Sequence, residues 1–475
     1  MTATLVPGRT YAAAAALLAA VAVWAAHHAL AAFGLLSHGT GHRFTAIYVL
    51  MYGLLVWQLG FAYLNQPYRV GRAGRRALDT LDVAALVPVY NEDPTALRAC
   101  LESMIGQHRR PRTIVVVDDG STTGTAAYAE VRDWFGPAAT QAGIRPVWRR
   151  QDNAGKRHAQ AAAIAEAPDA DVYWTVDSDT ISDPRALGEL LAPLADPAVQ
   201  SVAGIVMAAN VRSSLLTRFT DLWFVAGQLT DRSSLSVLNA VWVNSGPIAV
   251  YRGPVIRDNL DSYLNETFAG RRVPFSDDSM LTLFAMLAGR TVQQPSAFAF
   301  ALMPEKAGHF LRMFVRWMRG SFIRSLWRMR YLPLRSWAYW LHLIRWATTL
   351  LSTTLFVTVA VVIPIQEPSL AALPWLVSVP IVIGYAQCLR YLTIRRSDQS
   401  TAYQWGTWAL APIAVAWAML VLRATRWYGV ATCWKTGWGT RGTVEVALAA
   451  APIPSQRAGG VEQVPNPDAE LAARS

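Results

Sequence analysis

Charged residues are scarce in this chain of 475: Asp, Glu, Lys and Arg make up 16%, where soluble globular proteins carry about 25%. That shortage excludes a disordered segment, a coiled coil and a wholly water-soluble enzyme, all of which carry more charge. Cysteine is scarcer still. Cys100, Cys388 and Cys433 stand far apart with no metal-ligand spacing, which excludes a disulfide framework and a cysteine zinc site. Acidic residues are also in deficit, 32 against 43 basic ones, for a net charge of +11. What is abundant is apolar and aromatic: 53% hydrophobic residues and 19 Trp, with a mean hydropathy of +0.23. Excess Lys/Arg and Trp together fit a membrane protein with a basic cytoplasmic face and an aromatic belt. Nucleic-acid binding would want a basic soluble domain, and none is visible.

Crossing a bilayer takes about 20 apolar residues, because the hydrocarbon core is about 30 Å thick and a helix rises 1.5 Å per residue. Tyr11 to Leu36, Phe44 to Leu64, Trp346 to Ile363, Leu370 to Leu389 and Ala402 to Leu422 meet or approach that length without one Lys, Arg, Asp or Glu. The first is too long for a signal peptide and is followed at once by the second, so it reads as retained. Arg69, Arg72, Arg75 and Arg76 follow the second span, and the positive-inside rule places the next stretch in the cytoplasm. Five full crossings would leave the basic segment Arg423 to Arg441 outside. Pro412 in the middle of 402–422 makes that stretch bent, re-entrant or interfacial, and keeps the segment inside. The expected organisation is two transmembrane helices (1–70), a cytoplasmic α/β domain (71–305), amphipathic interface helices (306–336), transmembrane or re-entrant helices with a loop (337–442), and a flexible tail (443–475).

Within the α/β domain, strand-like runs at Val83 to Val89, Thr113 to Val117 and Asp171 to Val176 alternate with helix-like segments. Asp93 is placed to cap a helix that begins at Pro94 and runs toward Gly106. In His309 to Arg330, Arg312, Arg316 and Arg319 fall at i, i+4 and i+7. Leu311, Phe314, Val315, Met318 and Phe322 lie largely away from them, the pattern of a helix lying in a membrane interface.

Four acidic clusters follow in order: Asn91-Glu92-Asp93, Asp118-Asp119-Gly120, Asp177-Ser178-Asp179 and Ser276-Asp277-Asp278-Ser279. Each stands at the end of a strand-like run or in an adjoining loop, where open α/β sheets bind ligands. One Asp-x-Asp alone is commonly a turn; four in succession converge on a site. The chemistry they fit is transfer from a nucleotide-diphosphate donor, whose leaving group needs a divalent metal and cations. Asp179 is the best metal ligand and Asp177 serves the metal or the ribose, since Mg²⁺ prefers one or two carboxylates plus phosphate oxygens. Lys156 and Arg157, after Asn153-Ala154-Gly155, bring positive charge to a helix N-terminus. Asp119 can accept from a base N–H. Asp277 and Asp278 are a like-charge pair, so one of them holds its proton more tightly and acts near neutral pH.

The succession PVYNED, VDDGS, KRHA, DSDT, NSGPIAVYR, SDDS, RWMRGSFIRS and WGTRG resembles the processive family 2 glycosyltransferases, in the hyaluronan synthase and chitin synthase branch, from about residue 82 to 442. The resemblance implies a cytosolic GT-A, Rossmann-like α/β domain inserted between N- and C-terminal transmembrane helices of the cell membrane. The partners it implies are a UDP-sugar donor, a growing polysaccharide acceptor and the lipid bilayer, with Mg²⁺ or Mn²⁺ as cofactor and no nucleic acid. Carried over by position, Tyr90, Glu92 and Asp119 would hold uridine. Lys156 and Arg157 would face the diphosphate, and Asp177 and Asp179 the UDP and metal. Asp278, beside Asp277, would be the general base. Arg316 would contact the pyrophosphate and Trp317 the acceptor sugar at a channel mouth, with Ser245, Gly246 and Pro247 on the acceptor side. Trp438, Thr440 and Arg441 would form a loop closing over the donor. The family's Gln-x-x-Arg-Trp reads Met313-Phe-Val-Arg316-Trp317 here, and its Gly-Asp-Asp-Arg reads Ser276-Asp277-Asp278-Ser279. Both departures lie near the acceptor, and the sugar composition of the product stays open. Two other readings are a non-processive transferase acting on a lipid phosphate and a non-catalytic scaffold. The Arg-Trp helix and loop argue against the first, the intact carboxylates against the second.

Overall fold

The computed structural model describes residues 1–6, 20, 23, 42–122, 128–366, 373–437, 446 and 448. Its centre is an eight-stranded mixed sheet. In chain order the strands are β1 (Val83–Val89), β2 (Thr113–Asp118), β3 (Arg145–Arg150), β4 (Val172–Thr175), β5 (Ile181–Ser182), β6 (Val199–Ala208), β7 (Ala249–Arg252) and β8 (Arg290–Ala301). They lie side by side as β3-β2-β1-β4-β7-β6-β8-β5. The half around β1 is parallel, and β7 is antiparallel to both of its neighbours. β1 and β2 are buried along their whole length, as unbroken Val/Ala/Ile runs require of parallel strands covered on both faces. The three strand-like runs of the sequence become β1, β2 and β4, each within a residue or so of the expected ends.

Seven helices matter for the site: α1 (Pro94–Ile105), α2 (Lys156–Ala165), α3 (Leu215–Gly227), α4 (Asp277–Ala288), α5 (Ala307–Tyr331), α6 (Trp337–Val357) and α7 (Arg423–Ala431). α1 starts as its sequence demands: Asp93 accepts from the Thr95 backbone N–H and Pro94 fills the first turn, where no N–H is needed. α3 runs on through a π-helical turn, Gln228–Arg232. That extra residue turns Asp231 toward α6, where Arg345 pairs with it at 2.5 and 2.8 Å.

α5 departs from expectation. Phe314 is buried, with its ring 6.1 Å from that of Trp223 on α3, and Phe310 and Leu422 join the same cluster. α7 presses on another side, where a Cβ on Gly429 would stand 2.7 Å from that of Met318. This part of the apolar face therefore meets protein, because two helices cover it. Among the described residues one helix, Trp337–Gln366, is long and apolar enough to cross a membrane. A second counts only if Thr401–Ala409 and Ala411–Ala431, bent by 46° at their junction, form one span. The bend falls beside Pro412, as expected for 402–422. The apolar stretch 11–36 lies almost wholly outside the described residues, as do the tail beyond 448 and the loop residues Trp438, Thr440 and Arg441.

Candidate active site

A cavity of 1130 Å³ opens beyond the carboxyl ends of β1, β2 and β4. The sequence dictates how its walls are shaped. β2 runs into Asp119-Gly120, and Gly120 holds φ +74 against Asn153, where a Cβ would lie 2.7 Å from the Asn153 nitrogen; only glycine fits. Asp119 then accepts from the backbone N–H groups of Ala154 (3.0 Å) and Gly155 (2.8 Å) and from the Gln151 amide (2.7 Å). Its carboxylate lines the cavity while clamping the loop that starts α2. Glu92, also on the wall, is buried and accepts from the Ser178 hydroxyl at 2.9 Å, tying the first acidic cluster to the third.

Lys156, the first residue of α2, reaches Asp177 Oδ1 at 2.7 Å and Asp277 Oδ2 at 2.9 Å. The lysine expected at a diphosphate thus bridges two of the four acidic clusters. Burial works to discharge it, but the two carboxylates outweigh burial and hold it charged above the usual lysine range. Gly246 lies over this bridge: a Cβ there would stand 3.1 and 3.3 Å from the Asp177 oxygens and 3.4 Å from Lys156 Nζ.

Asp277 and Asp278 open α4. Burial raises the Asp277 pKa, but Lys156, and then Arg157, bring it below the ordinary carboxylate value. Asp278 goes the other way, to about 6, through burial first and the Asp277 charge second, despite a 2.7 Å bond accepted from the Ser279 N–H. Two adjacent carboxylates are thereby divided into one held ionised and one poised to exchange a proton near neutrality. Across the cavity, α5 brings Arg316 and Trp317 to the wall, with the Trp317 ring edge-on to Phe224 at 5.4 Å.

Tyr90, Glu92, Asp119, Lys156, Asp177, Asp179, Ser245, Gly246, Pro247, Asp277, Asp278, Arg316 and Trp317 all line this one cavity. Arg157 does not. It is 4% exposed and donates to Glu266 (2.7 Å) and to the carbonyls of Tyr263 (2.8 Å) and Phe275 (2.8 Å). Its donor-binding assignment is corrected to a structural one, since one step along a helix turns a side chain about 100° away from Lys156. Arg232 was not anticipated. The π-turn delivers it to the wall, where it donates to the Ser245 hydroxyl (2.6 Å) and the Gly204 carbonyl (3.0 Å). Burial lowers its pKa to about 10. No motif surrounds it; only the π-turn itself, a frequent mark of functional sites, points there. Among the described residues no group of three or more His, Cys, Asp or Glu side chains could hold a metal by itself.

Comparison with known proteins shows what this chain resembles. Over 278 residues the chain is 37% identical to a hyaluronan synthase of Streptococcus pyogenes, covering 58% of this chain and 64% of that protein. It is 36% identical over 262 residues to an N-acetylglucosaminyltransferase of Sinorhizobium fredii (strain NBRC 101917 / NGR234), covering 55% and 62%. The chain thus matches somewhat less than two thirds of the length of these relatives. Among solved structures, a mannosyltransferase from Pyrobaculum calidifontis in complex with GDP-Man and Mn²⁺ aligns with a TM-score of 0.49 and 21% identity, over 85% of this chain and 99% of that one. Residues 84–260, which carry the first three acidic clusters and the Asn-Ser-Gly-Pro loop, match the family described as Glycosyl transferase family 2.

Proposed function

We propose that the protein is a membrane-embedded, inverting, processive β-glycosyltransferase that polymerises UDP-sugars into a polysaccharide and passes it across the cell membrane. The observation that carries this reading is the single cavity shared by the Asp277/Asp278 pair, the Lys156–Asp177 bridge and the Arg316-Trp317 pair on α5. A donor-binding end and an acceptor end meet there at one base. The 37% identity to a hyaluronan synthase supports the same reading, and the apolar helix Trp337–Gln366 supports the membrane placement.

The transfer is one in-line displacement. Asp278 takes the proton of the acceptor hydroxyl; the acceptor oxygen bonds to the anomeric carbon; the bond from that carbon to the diphosphate oxygen breaks and its electron pair leaves with UDP. The configuration inverts. Lys156 holds Asp277 ionised, which keeps the second carboxyl from competing for the proton. Tyr90, Glu92 and Asp119 face the nucleotide and Trp317 the acceptor sugar.

A divalent cation fits the donor set. Asp177 and Asp179 supply two hard carboxylates on the cavity wall, the number that Mg²⁺ or Mn²⁺ takes when phosphates and water complete the shell. Bound there, the ion would neutralise charge building on the leaving diphosphate.

A second reading concerns the product. The rhizobial relatives named N-acetylglucosaminyltransferases favour a polymer of one sugar, a chitin-like oligosaccharide, as the alternative to a two-donor polymer. The test is to supply membranes containing the protein with radiolabelled UDP-N-acetylglucosamine and UDP-glucuronate, singly and together, and digest the product with hyaluronidase or chitinase. Polymer from UDP-N-acetylglucosamine alone that chitinase degrades selects the one-sugar product. No sugar transfer from either donor sinks the transferase reading.

A further inference from the structure

We propose that helix α5 completes the catalytic turn Ser276-Asp277-Asp278-Ser279 from outside it, with Gly320 and Arg324 as positioning residues that set where Asp278 stands relative to Arg316 and Trp317. The inference rests on the transferase reading above.

Two contacts carry it. Ser276 holds a left-handed backbone, φ +57, at the start of α4, a conformation that a residue with a side chain adopts at a cost. Its side chain has room only because α5 presents no Cβ there. One built on Gly320 would lie 1.6 Å from Ser276 Oγ, 2.7 Å from Ser276 Cβ and 3.2 Å from Phe275 Cδ2. One turn further along, Arg324 is fully buried; it forks onto the Glu266 carboxylate at 2.6 and 2.9 Å and reaches Ser279 Oγ with Nε at 3.3 Å. Glu266 also accepts from Arg157 (2.7 Å) and Trp327 (2.8 Å), and Arg157 in turn grips the Phe275 carbonyl. The residue before the catalytic turn and the residue that ends it are therefore held by one buried network rooted on α5.

Gly320 is four residues after Arg316 and three after Trp317, so all three share a helix face. A displacement of α5 at Gly320 moves both cavity-lining side chains with it. Gly320 makes room for the side chain of Ser276, and Arg324 brings a guanidinium to Ser279.

The test compares wild type, Ser276→Gly, Gly320→Ala and the double variant for sugar transfer and for UDP binding, in membranes and in detergent. Alanine favours a helix over glycine, so a loss in Gly320→Ala reports the clash and not helix propensity. Transfer by Gly320→Ala should fall about 10-fold or more, the penalty of misplaced reacting groups, with UDP affinity within about twofold of wild type. The double variant should return to within about threefold of Ser276→Gly, because neighbouring substitutions that relieve one clash couple strongly. Gly320→Ala transferring at the wild-type rate, or a double variant as impaired as the single, would overturn the inference. If Gly320→Ala fails to bind UDP, Arg324→Lys decides: it keeps the charge but loses the fork, and wild-type transfer by that variant would equally overturn it. Wild-type protein that binds UDP yet transfers no sugar would remove the transferase reading, and this inference with it.

Discussion

The division of labour between Asp277 and Asp278 makes a prediction about pH whose sign can be worked from the structure. A general base acts when ionised, so transfer should fall with acid along a limb set by the Asp278 pKa, about 6. A carboxyl of that pKa is ~91% ionised at pH 7 and ~9% at pH 5, so kcat/KM should drop about tenfold between those values. Replacing its neighbour, Asp277→Asn, removes a negative charge. The ionised form of Asp278 becomes easier to reach and the limb moves to lower pH. Burial is the larger cause of the rise and the Asp277 charge is the second. The limb should therefore move to lower pH by the part that the Asp277 charge supplies. Replacing the bridging cation, Lys156→Met, has the opposite sign, since Lys156 lowers the Asp278 pKa; that limb moves to higher pH, whatever happens to the absolute rate. The assay is initial-rate sugar incorporation in membranes from pH 4.5 to 8, with each variant normalised to its own maximum. Limbs that fail to move, or that move the same way in both variants, would refute the electrostatic account of this pair.

Three further outcomes follow from the same geometry. Asp278→Asn should cut transfer by roughly 10² to 10⁴ while UDP binding by calorimetry at saturating Mg²⁺ stays near wild type; near-normal polymer yield would remove Asp278 as the base. Asp179→Ala should weaken the Mn²⁺ or Mg²⁺ dependence of donor binding, and an unchanged metal titration would count against Asp179 as a ligand. Arg157→Met should lower stability by roughly 3 kcal/mol, the low end for breaking a buried pair because Arg324 still faces Glu266. Thermal unfolding in detergent measures this, and a large loss of UDP affinity without loss of stability would return Arg157 to the donor site.

How much of this was legible in the sequence depended on whether neighbours along the chain or neighbours in space decide the matter. β1, β2 and the start of α1 were legible because unbroken apolar runs and an Asp-Pro cap are local signals. The convergence of the four acidic clusters was legible too, since strand ends in an open sheet share an edge. Lys156 and Arg157 read alike in the sequence, yet the helix sends one into the cavity and the other into a buried ion pair with a glutamate more than 100 residues away. Arg232 carries no motif at all; a π-turn of one extra residue puts it on the wall. The apolar face of α5 had the periodicity of a membrane-surface helix. Periodicity shows that a face seeks cover; part of that cover comes from Trp223 and Leu422, which lie far off in the chain.

The charges on the cavity wall bear on the metal more directly than any single ligand does. Among the described residues six carboxylates line it, those of Glu92, Asp119, Asp177, Asp179, Asp277 and Asp278, against the three cations Lys156, Arg232 and Arg316. Lys156 is already engaged by two of the acids. A nucleoside diphosphate brings more negative charge into a half-enclosed space, where like charges repel far more strongly than in water. Asp278 partly relieves the excess by holding its proton to about pH 6, but at neutral pH that relief is mostly gone. The proposed donor would then enter an acidic cavity against its own charge unless a divalent cation came with it. This is why the cation is expected to govern donor affinity and not the rate of the bond-breaking step alone. In a titration, UDP binding to wild-type protein should tighten as Mg²⁺ or Mn²⁺ is raised, whereas Asp278→Asn, with one negative charge fewer, should bind UDP with a weaker need for the ion. Equal metal dependence in the two proteins would break the link between the cavity's acid excess and its affinity for the donor.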